Sequence, residues 1–379
     1  MKCAIGNGAR LGYPPRSKMS RVLILTAGYG EGHNAAAHAL AEGITALGGQ
    51  ADVRDLFLET YGHKQETSRR LYLQCIDRAP WLWAVVYRAM ELRAVSWITM
   101  HTLWPLKARL KALIAEQKPD AVVSVYPAYG HLLDQIYPDG APFAQHTIIT
   151  DSISVNSIWY TRDTRGYIVA NDATAEIVQS RLPAAKVHAL GFPVRTVFAD
   201  FLRKRPAPGD GEPLRVLFMV NHAKSGAILL VKKLLAMPHV RLTVTVGRDA
   251  ALGRELRAAA AASKKQLNIL GWIDNMPELF MAHHIIIGKA GGAATQEALA
   301  AHTPMLITQV VPGQEEGNAQ LVVDNECGAL TTTAAAVAET LERMPDNNFA
   351  RWKHWAAQTA VVGRPDSART VARFILSDL

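Results

Sequence analysis

Three cysteines in 379 residues, Cys3, Cys75 and Cys327, are too few and too scattered for a disulfide framework or a zinc-binding cluster. A reducing cytoplasm fits such usage. Long apolar runs are missing too. A membrane-spanning helix needs roughly 18 uncharged apolar residues, and the longest run in the amphipathic region, 94–106, has 13. The chain is therefore expected not to cross a membrane. The net charge of +8 leaves nucleic acid, an anionic membrane or acidic substrates as partner classes. With no basic block interleaved with aromatics and no zinc-finger spacing, nucleic acid is not expected as a partner. The first eighteen residues hold Lys2, Arg10, Arg16 and Lys18 but no apolar core, so they do not read as a secretory signal. Met19-Ser20-Arg21, directly before the first apolar run, suggests a later start, and residues 1–18 are set aside as disordered or mis-assigned.

What is present is alternation. Runs at Val22–Leu25, Ala121–Val125, His146–Ile149 and Tyr167–Val169 read as strands, with helices near 34–47, 68–116 and 172–181. Charges, prolines and glycines then gather in Arg203–Pro213, a linker signature. A second alternation follows, with strands at Leu214–Val220, Leu242–Val246, Leu267–Leu270, Ile285–Ile287 and Met305–Ile307. This predicts an α/β chain of two Rossmann-like, doubly wound domains facing a cleft: 19–205, a linker at 206–213, and 214–349. Helices at 350–379 either pair on the second domain or cross back to the first.

Two segments carry the most chemistry. In Gly288-Lys289-Ala290-Gly291-Gly292-Ala293-Ala294-Thr295-Gln296-Glu297, a strand ends in a glycine turn and a helix begins. Its free N–H groups and dipole suit a pyrophosphate. The polar run Pro312-Gly313-Gln314-Glu315-Glu316-Gly317-Asn318 suits sugar hydroxyls, because a site of buried polar groups penalises an unmatched partner. Upstream, Gly28-Tyr29-Gly30-Glu31-Gly32-His33 places an imidazole at the start of the first helix, positioned for general-base work or simply for capping the helix or packing in the core. The spacing differs from the dinucleotide fingerprint. No Asp-x-Asp pair lies near the donor motifs.

These segments, with Ile148-Ile149-Thr150-Asp151-Ser152 and Leu190-Gly191-Phe192-Pro193-Val194-Arg195, occur in the order found in a glycosyltransferase family. The chain resembles the monogalactosyldiacylglycerol synthases and processive diacylglycerol glucosyltransferases, relatives of the lipid II-forming N-acetylglucosaminyltransferase, from about residue 20 to 330. The resemblance implies the two-domain GT-B fold and a terminal segment, 350–379, crossing back onto the first domain. It implies His33 as catalytic base, with Asp151 either orienting that base, contacting the acceptor or merely capping a turn. The uridine diphosphate (UDP) sugar would meet the backbone of Gly271-Trp272-Ile273 at the uracil, Glu297 at the ribose, and Gly291, Gly292 and Thr295 at the pyrophosphate, with Lys289 either adding a charge there or merely sitting at a strand end. Gln314, Glu315 and Asn318, and more weakly Glu316, would hold the sugar. The alternative for Trp272 is a core residue. No cofactor and no metal is implied, the helix dipole standing in for a cation.

One segment departs from the family. Where it usually has a glycine-rich loop, this chain reads Val220-Asn221-His222-Ala223-Lys224-Ser225-Gly226. Either Lys224 and Ser225 supply side-chain donors to the phosphates, or donor affinity has been lost.

Residues 81–114 combine Trp81, Trp83, Trp97 and Trp104 with Arg88, Arg93 and further basic residues. This mix suits helices lying at an anionic membrane surface, or alternatively a core-facing pair. The resulting expectation is an inverting hexosyltransferase, peripheral on the cytoplasmic face of the membrane, acting on diacylglycerol or a related lipid. A UDP-sugar epimerase, or a noncatalytic sugar-nucleotide or lipid sensor, are the alternatives. The sugar, its number of copies and the oligomeric state are not readable.

Overall fold

In the computed structural model of the chain, the described residues are 19–379 except 162, 163, 204, 210, 221–223, 262 and 264–266. The side chains of Asp77, Arg93, Lys224 and Ser225 also lie outside the description. Two parallel six-stranded sheets make the framework. The first contains β1 (Arg21–Thr26), β2 (Gln50–Asp55), β3 (Ala121–Ser124), β4 (Ala144–Ile148), β5 (Gly166–Ile168) and β6 (Val187–His188), in the order β2-β1-β3-β4-β5-β6. The second contains β7 (Leu214–Met219), β8 (Val240–Thr245), β9 (Asn268–Leu270), β10 (Ile285–Lys289), β11 (Met305–Gln309) and β12 (Gly328–Leu330), in the order β12-β11-β10-β7-β8-β9.

The apolar runs form strands because both faces of each sheet are covered. Along β1, Val22 and Ile24 pack with Leu40 and Ile44 of helix Glu31–Ala46, while Leu23 and Leu25 pack on the other face with Leu106 and Leu110 of helix Trp104–Gln117. That is the two-residue period of a strand sorting its side chains between two layers. Three strands escaped the apolar reading. β2 is an edge strand of sequence QADVRD with no fully buried residue, and β6 and β12 are two and three residues long. The 68–116 helical region is four helices: His63–Arg78, Pro80–Ala89, Arg93–Thr102 and Trp104–Gln117. Pro80 and Pro105 sit in the first turns of two of them, where a missing N–H costs nothing.

The order of strands reverses between β1 and β3 in the first sheet and between β7 and β10 in the second. Ligands of open parallel sheets bind outside the carboxyl ends of strands at such reversals. At the end of the chain, helix Asp346–Val362 packs on the second sheet, and the Nε1–H of its Trp352 donates to the His284 carbonyl at 2.8 Å. After Gly363-Arg364-Pro365, helix Ser367–Ser377 lies against helix Glu31–Ala46 of the first half. There Val371, Ala372 and Ile375 are fully buried, and Arg369 pairs with Asp200 at 2.7 Å.

Candidate active site

The loop after β1 and the end of β3 bring His33 to the first reversal point. The chain passes through Gly28, whose N–H donates to Asp55 Oδ2 at 2.8 Å, and enters helix Glu31–Ala46 at Gly30. His33 Nδ1 lies 2.8 Å from the Val125 carbonyl, just past β3, and 3.0 Å from Thr150 Oγ1. A carbonyl only accepts, so Nδ1 carries the proton and Nε2 is left as the basic nitrogen. The ring is enclosed by Tyr126, edge-on at 5.1 Å, and Trp159 at 6.0 Å. Burial lowers its proton affinity to about 4, the Val125 hydrogen bond opposing, so the imidazole is neutral at physiological pH.

Asp151 does not contact the imidazole. Its Oδ2 accepts from Trp159 Nε1 at 2.8 Å and from the Tyr87 hydroxyl at 3.2 Å. Burial pushes this carboxyl up to about 6, while the two hydrogen bonds hold it down. The groups that orient His33 are thus Val125 and Thr150, and Asp151 stands beside them, tied to helix Pro80–Ala89.

At the second reversal point, β10 ends at Lys289, Gly291 caps, and helix Gly292–Ala300 begins, its first-turn N–H groups unused by the helix. This start faces the His33 loop directly. A methyl built on Gly32 would lie 3.9 Å from Ala293 N, and one on Gly292 would lie 3.3 Å from the Thr150 carbonyl. Gln296 Nε2 donates to Ser152 Oγ at 3.2 Å, and Gly317 approaches the Ser152 backbone so closely that no side chain fits between them. The 150–154 segment is therefore the shared wall of both halves.

Two polar atoms on this wall are buried without a partner, Thr295 Oγ1 and Asn318 Oδ1, while Asn318 Nδ2 donates to the Ala290 carbonyl at 3.0 Å. Such orphans are uncommon in folded proteins and mark places where a ligand or water is accommodated. Glu297 sits on the same helix, partly covered, and burial raises its carboxyl to about 7. Arg195 is the cation that opposes this rise. Arg195 also bonds Glu42 at 2.9 Å and the Asp274 carbonyl at 3.2 Å, linking the 190–195 motif to the segment holding Gly271, Trp272 and Ile273.

Several side chains stand differently from the sequence expectation. Lys289 Nζ donates to Glu315 Oε1 at 2.5 Å, and Glu315 Oε2 accepts from Val311 N at 3.1 Å. Both residues are thereby engaged in pinning the 311–315 loop rather than standing free. Gln314 Oε1 accepts from the Tyr72 hydroxyl at 3.1 Å, and Glu316 is exposed. Trp272 is 53% exposed, not core, with the Arg248 guanidinium 4.1 Å above its ring centroid. The side chains of Lys224 and Ser225, with residues 221–223, fall outside the described residues.

Trp81, Trp97 and Trp104 are exposed by 63% or more, and Arg88 is exposed. Helix Pro80–Ala89 buries no residue fully, so the core-facing alternative fails for it. Trp83 is the exception among the four tryptophans. It turns inward, 4.7 Å from the Tyr72 ring and 6.3 Å from Tyr87. Arg93 has no described side chain. Thr150, Arg195, Arg248, Tyr72 and Tyr87 were not picked out from the sequence. Thr150 and Arg195 lie inside quoted motifs, whereas nothing in the spacing singles out the other three.

Known proteins resemble the chain in both sequence and fold. The description "Monogalactosyldiacylglycerol (MGDG) synthase" matches residues 33–194. Processive diacylglycerol beta-glucosyltransferase of Bacillus mycoides is 28% identical over 316 residues, covering 80% of this chain and 79% of that protein. The protein of the same name from Bacillus cytotoxicus is 26% identical over 375 residues, 95% and 94% of the two chains. The chain is a hexosyltransferase, similar over most of its length to these diacylglycerol glycosyltransferases. Its fold is GT-B, shared with Acinetobacter baumannii MurG at a TM-score of 0.60, 15% identity and coverage of 94% and 99%. UDP-GlcNAc 2-epimerase of Neisseria meningitidis shares it too, at a TM-score of 0.57, 10% identity and coverage of 94% and 100%. At such identities the fold alone is common ground, whereas the sequence similarity is to the diacylglycerol glycosyltransferases. Among the described residues, no helix is long and apolar enough to cross a membrane, and no three His, Cys, Asp or Glu side chains stand grouped as metal ligands.

Proposed function

We propose that this glycosyltransferase moves a hexose from a UDP-sugar to a lipid hydroxyl, diacylglycerol foremost, by one inverting displacement at the cytoplasmic face of the membrane. The observation that carries the reading is the pairing of a neutral imidazole, its Nε2 left basic by the Val125 carbonyl, with a helix start that faces the same loop from the other half. The acceptor oxygen attacks the anomeric carbon as the bond to UDP breaks on the opposite side, which turns an α-linked donor into a β-linked product. His33 Nε2 takes the hydroxyl proton. Negative charge grows on the departing diphosphate, where the N–H groups and dipole of helix Gly292–Ala300 already point. Glu297 accepts from the ribose hydroxyls, the 271–273 backbone meets the uracil, and Asn318 with Gln314 meets the sugar. Lys289 and Glu315 act in this scheme as the pair that shapes the sugar loop.

Purified protein incubated with a panel of UDP-hexoses and diacylglycerol vesicles, in the presence of a chelator, is expected to yield a glycolipid. A free epimerised sugar nucleotide, with no glycolipid from any donor, would replace the transferase reading by the epimerase one. Activity lost in chelator and restored specifically by a divalent ion would mean that the diphosphate is stabilised by a metal, not by the helix.

The membrane part rests on Trp81, Trp97 and Trp104, exposed beside Arg88. Binding to anionic vesicles is expected to weaken with salt, since charges are screened within about 10 Å at 0.1 M. Because Trp97 and Trp104 are exposed, the double Trp97→Ala, Trp104→Ala variant should keep its melting temperature and its UDP affinity while losing vesicle binding in flotation. Unchanged flotation would remove these tryptophans from the membrane contact.

A further inference from the structure

Helix Pro80–Ala89 has two unlike faces. Trp81, Leu82, Val85 and Val86 are exposed, whereas Trp83 and Tyr87 turn toward the cleft. The inward side reaches both halves of the site at once. The Tyr87 hydroxyl donates to Asp151 Oδ2 at 3.2 Å, and the Tyr87 carbonyl accepts from Asn156 Nδ2 at 2.8 Å, which fixes the helix to the acceptor-side wall. Its ring lies against Gly313 of the sugar loop, where a Cβ would come 3.1 Å from Tyr87 Cδ1. Gly313 has φ +82°, so a side chain there would be strained as well as crowded. Beside it, the Tyr72 hydroxyl donates to Gln314 Oε1 at 3.1 Å, and Trp83 packs edge-on against Tyr72 and tilted toward Tyr87. Loop 312–315 of the donor half thus rests on two tyrosines, backed by Trp83, carried by the helices that expose apolar surface.

We propose that Tyr72 and Tyr87 are positioning residues that register the donor-sugar loop 312–315 against the Asp151 wall, and that helix Pro80–Ala89 transmits surface docking into that register. The proposal rests on the transferase reading above. Neither hydroxyl is assigned to the reacting atoms; the Tyr72 hydroxyl fixes Gln314 at the sugar, and the Tyr87 hydroxyl fixes the Asp151 wall beside the base. A sugar held by Gln314 and a lipid hydroxyl entering past Tyr87 must meet within a few tenths of an ångström of the productive geometry, since misplacement by about 1 Å costs on the order of 100-fold in rate. Removing a hydroxyl should therefore affect transfer, in which two substrates must be aligned, more than hydrolysis, in which water finds the anomeric carbon unaided.

Tyr72→Phe and Tyr87→Phe keep ring, volume and packing, so the full chain carrying either is suited to the test. With UDP-glucose and diacylglycerol vesicles, each variant is expected to lose about tenfold in transfer kcat, the size of one buried hydrogen bond. UDP affinity and vesicle flotation should stay within about twofold of the parent. The ratio of donor hydrolysed to donor transferred should rise, and adding vesicles without acceptor should stimulate hydrolysis in the parent but not in the variants. Equal falls in transfer and hydrolysis, with a lowered melting temperature, would overturn the proposal by making both residues merely structural. Parent-like transfer in both variants would overturn it as well. A parent chain that makes no glycolipid from any UDP-hexose would sink the transferase reading itself, and the proposal with it, an outcome distinct from a working parent with working variants.

Discussion

His33→Ala is expected to lower turnover on diacylglycerol vesicles by about 10²- to 10⁴-fold, the range for a lost general base, with UDP affinity nearly unchanged. The separation follows from position. His33 belongs to the acceptor half and is held by Val125 and Thr150 of that half, so its loss leaves the start of helix Gly292–Ala300 intact. The pH profile gives an independent reading. Because burial lowers His33 to about 4, the imidazole is already basic through the whole range above that value, and falling pH disarms it only near 4. An acid limb of kcat/KM between 6 and 7 would therefore report Asp151, raised to about 6, or Glu297, raised to about 7. His33→Ala should scale the profile down without moving that limb. Near-normal turnover in the variant, or a limb that vanishes with His33, would assign the base elsewhere and leave His33 as a packed ring between Tyr126 and Trp159.

What could be read from the sequence follows from where the information is local. The glycine loop before His33, the strand ends at 150 and 289 and the helix start at 292 are each encoded within a dozen residues, and all but the end at 150, which follows β4, stand at a strand reversal point in the fold. The doubly wound sheets were legible for the same reason, since Val22–Leu25 or Ile285–Ile287 must be buried on both faces. β2 was not, because an edge strand has no such demand and QADVRD carries no apolar period. The contacts that set the site's finer geometry are long-range. Lys289 and Glu315 are 26 residues apart, Tyr87 and Asp151 are 64, and Tyr72 and Gln314 are 242. No local pattern marks such partners: Tyr72 and Tyr87 look like two more aromatics in amphipathic helices, and Trp83 looks like Trp81. The pairing of Lys289 with Glu315 also changes the local charge balance, because a cation expected at the diphosphate is engaged by a carboxylate expected at the sugar. In the proposed mechanism, that makes backbone N–H groups the main electrostatic support for the leaving group.

Glu297→Gln is expected to make the protein more stable and a poorer nucleotide binder. Burial raises the Glu297 carboxyl from 4.5 to about 7, with Arg195 opposing. Below 4.5 the group is protonated in both folded and unfolded chains and costs nothing. As pH rises from 4.5 to 7 the folded state retains a proton that the unfolded state has released, so stability falls. Above 7 the full penalty of holding a charged, partly buried carboxylate remains, about 1 to 3 kcal/mol when part of the shift is discounted for solvent screening. The amide carries no such penalty. The melting temperature of Glu297→Gln should thus exceed the parent's at pH 8 and match it at pH 4. Nucleotide binding should move the other way, because ribose hydroxyls donate more strongly to a carboxylate than to an amide, a difference of about 1 to 3 kcal/mol for a charged acceptor. Ribose binding favours the ionised carboxylate, so the parent's affinity should weaken as pH drops below 7, while that of the variant should stay flat. Calorimetry with uridine, which has no phosphate to titrate in that range, isolates this effect, and UDP then reports the sum with the phosphate contacts. A variant that binds both ligands as the parent does, or that melts lower at pH 8, would show that the Glu297 carboxylate is satisfied within the fold and is not the ribose acceptor.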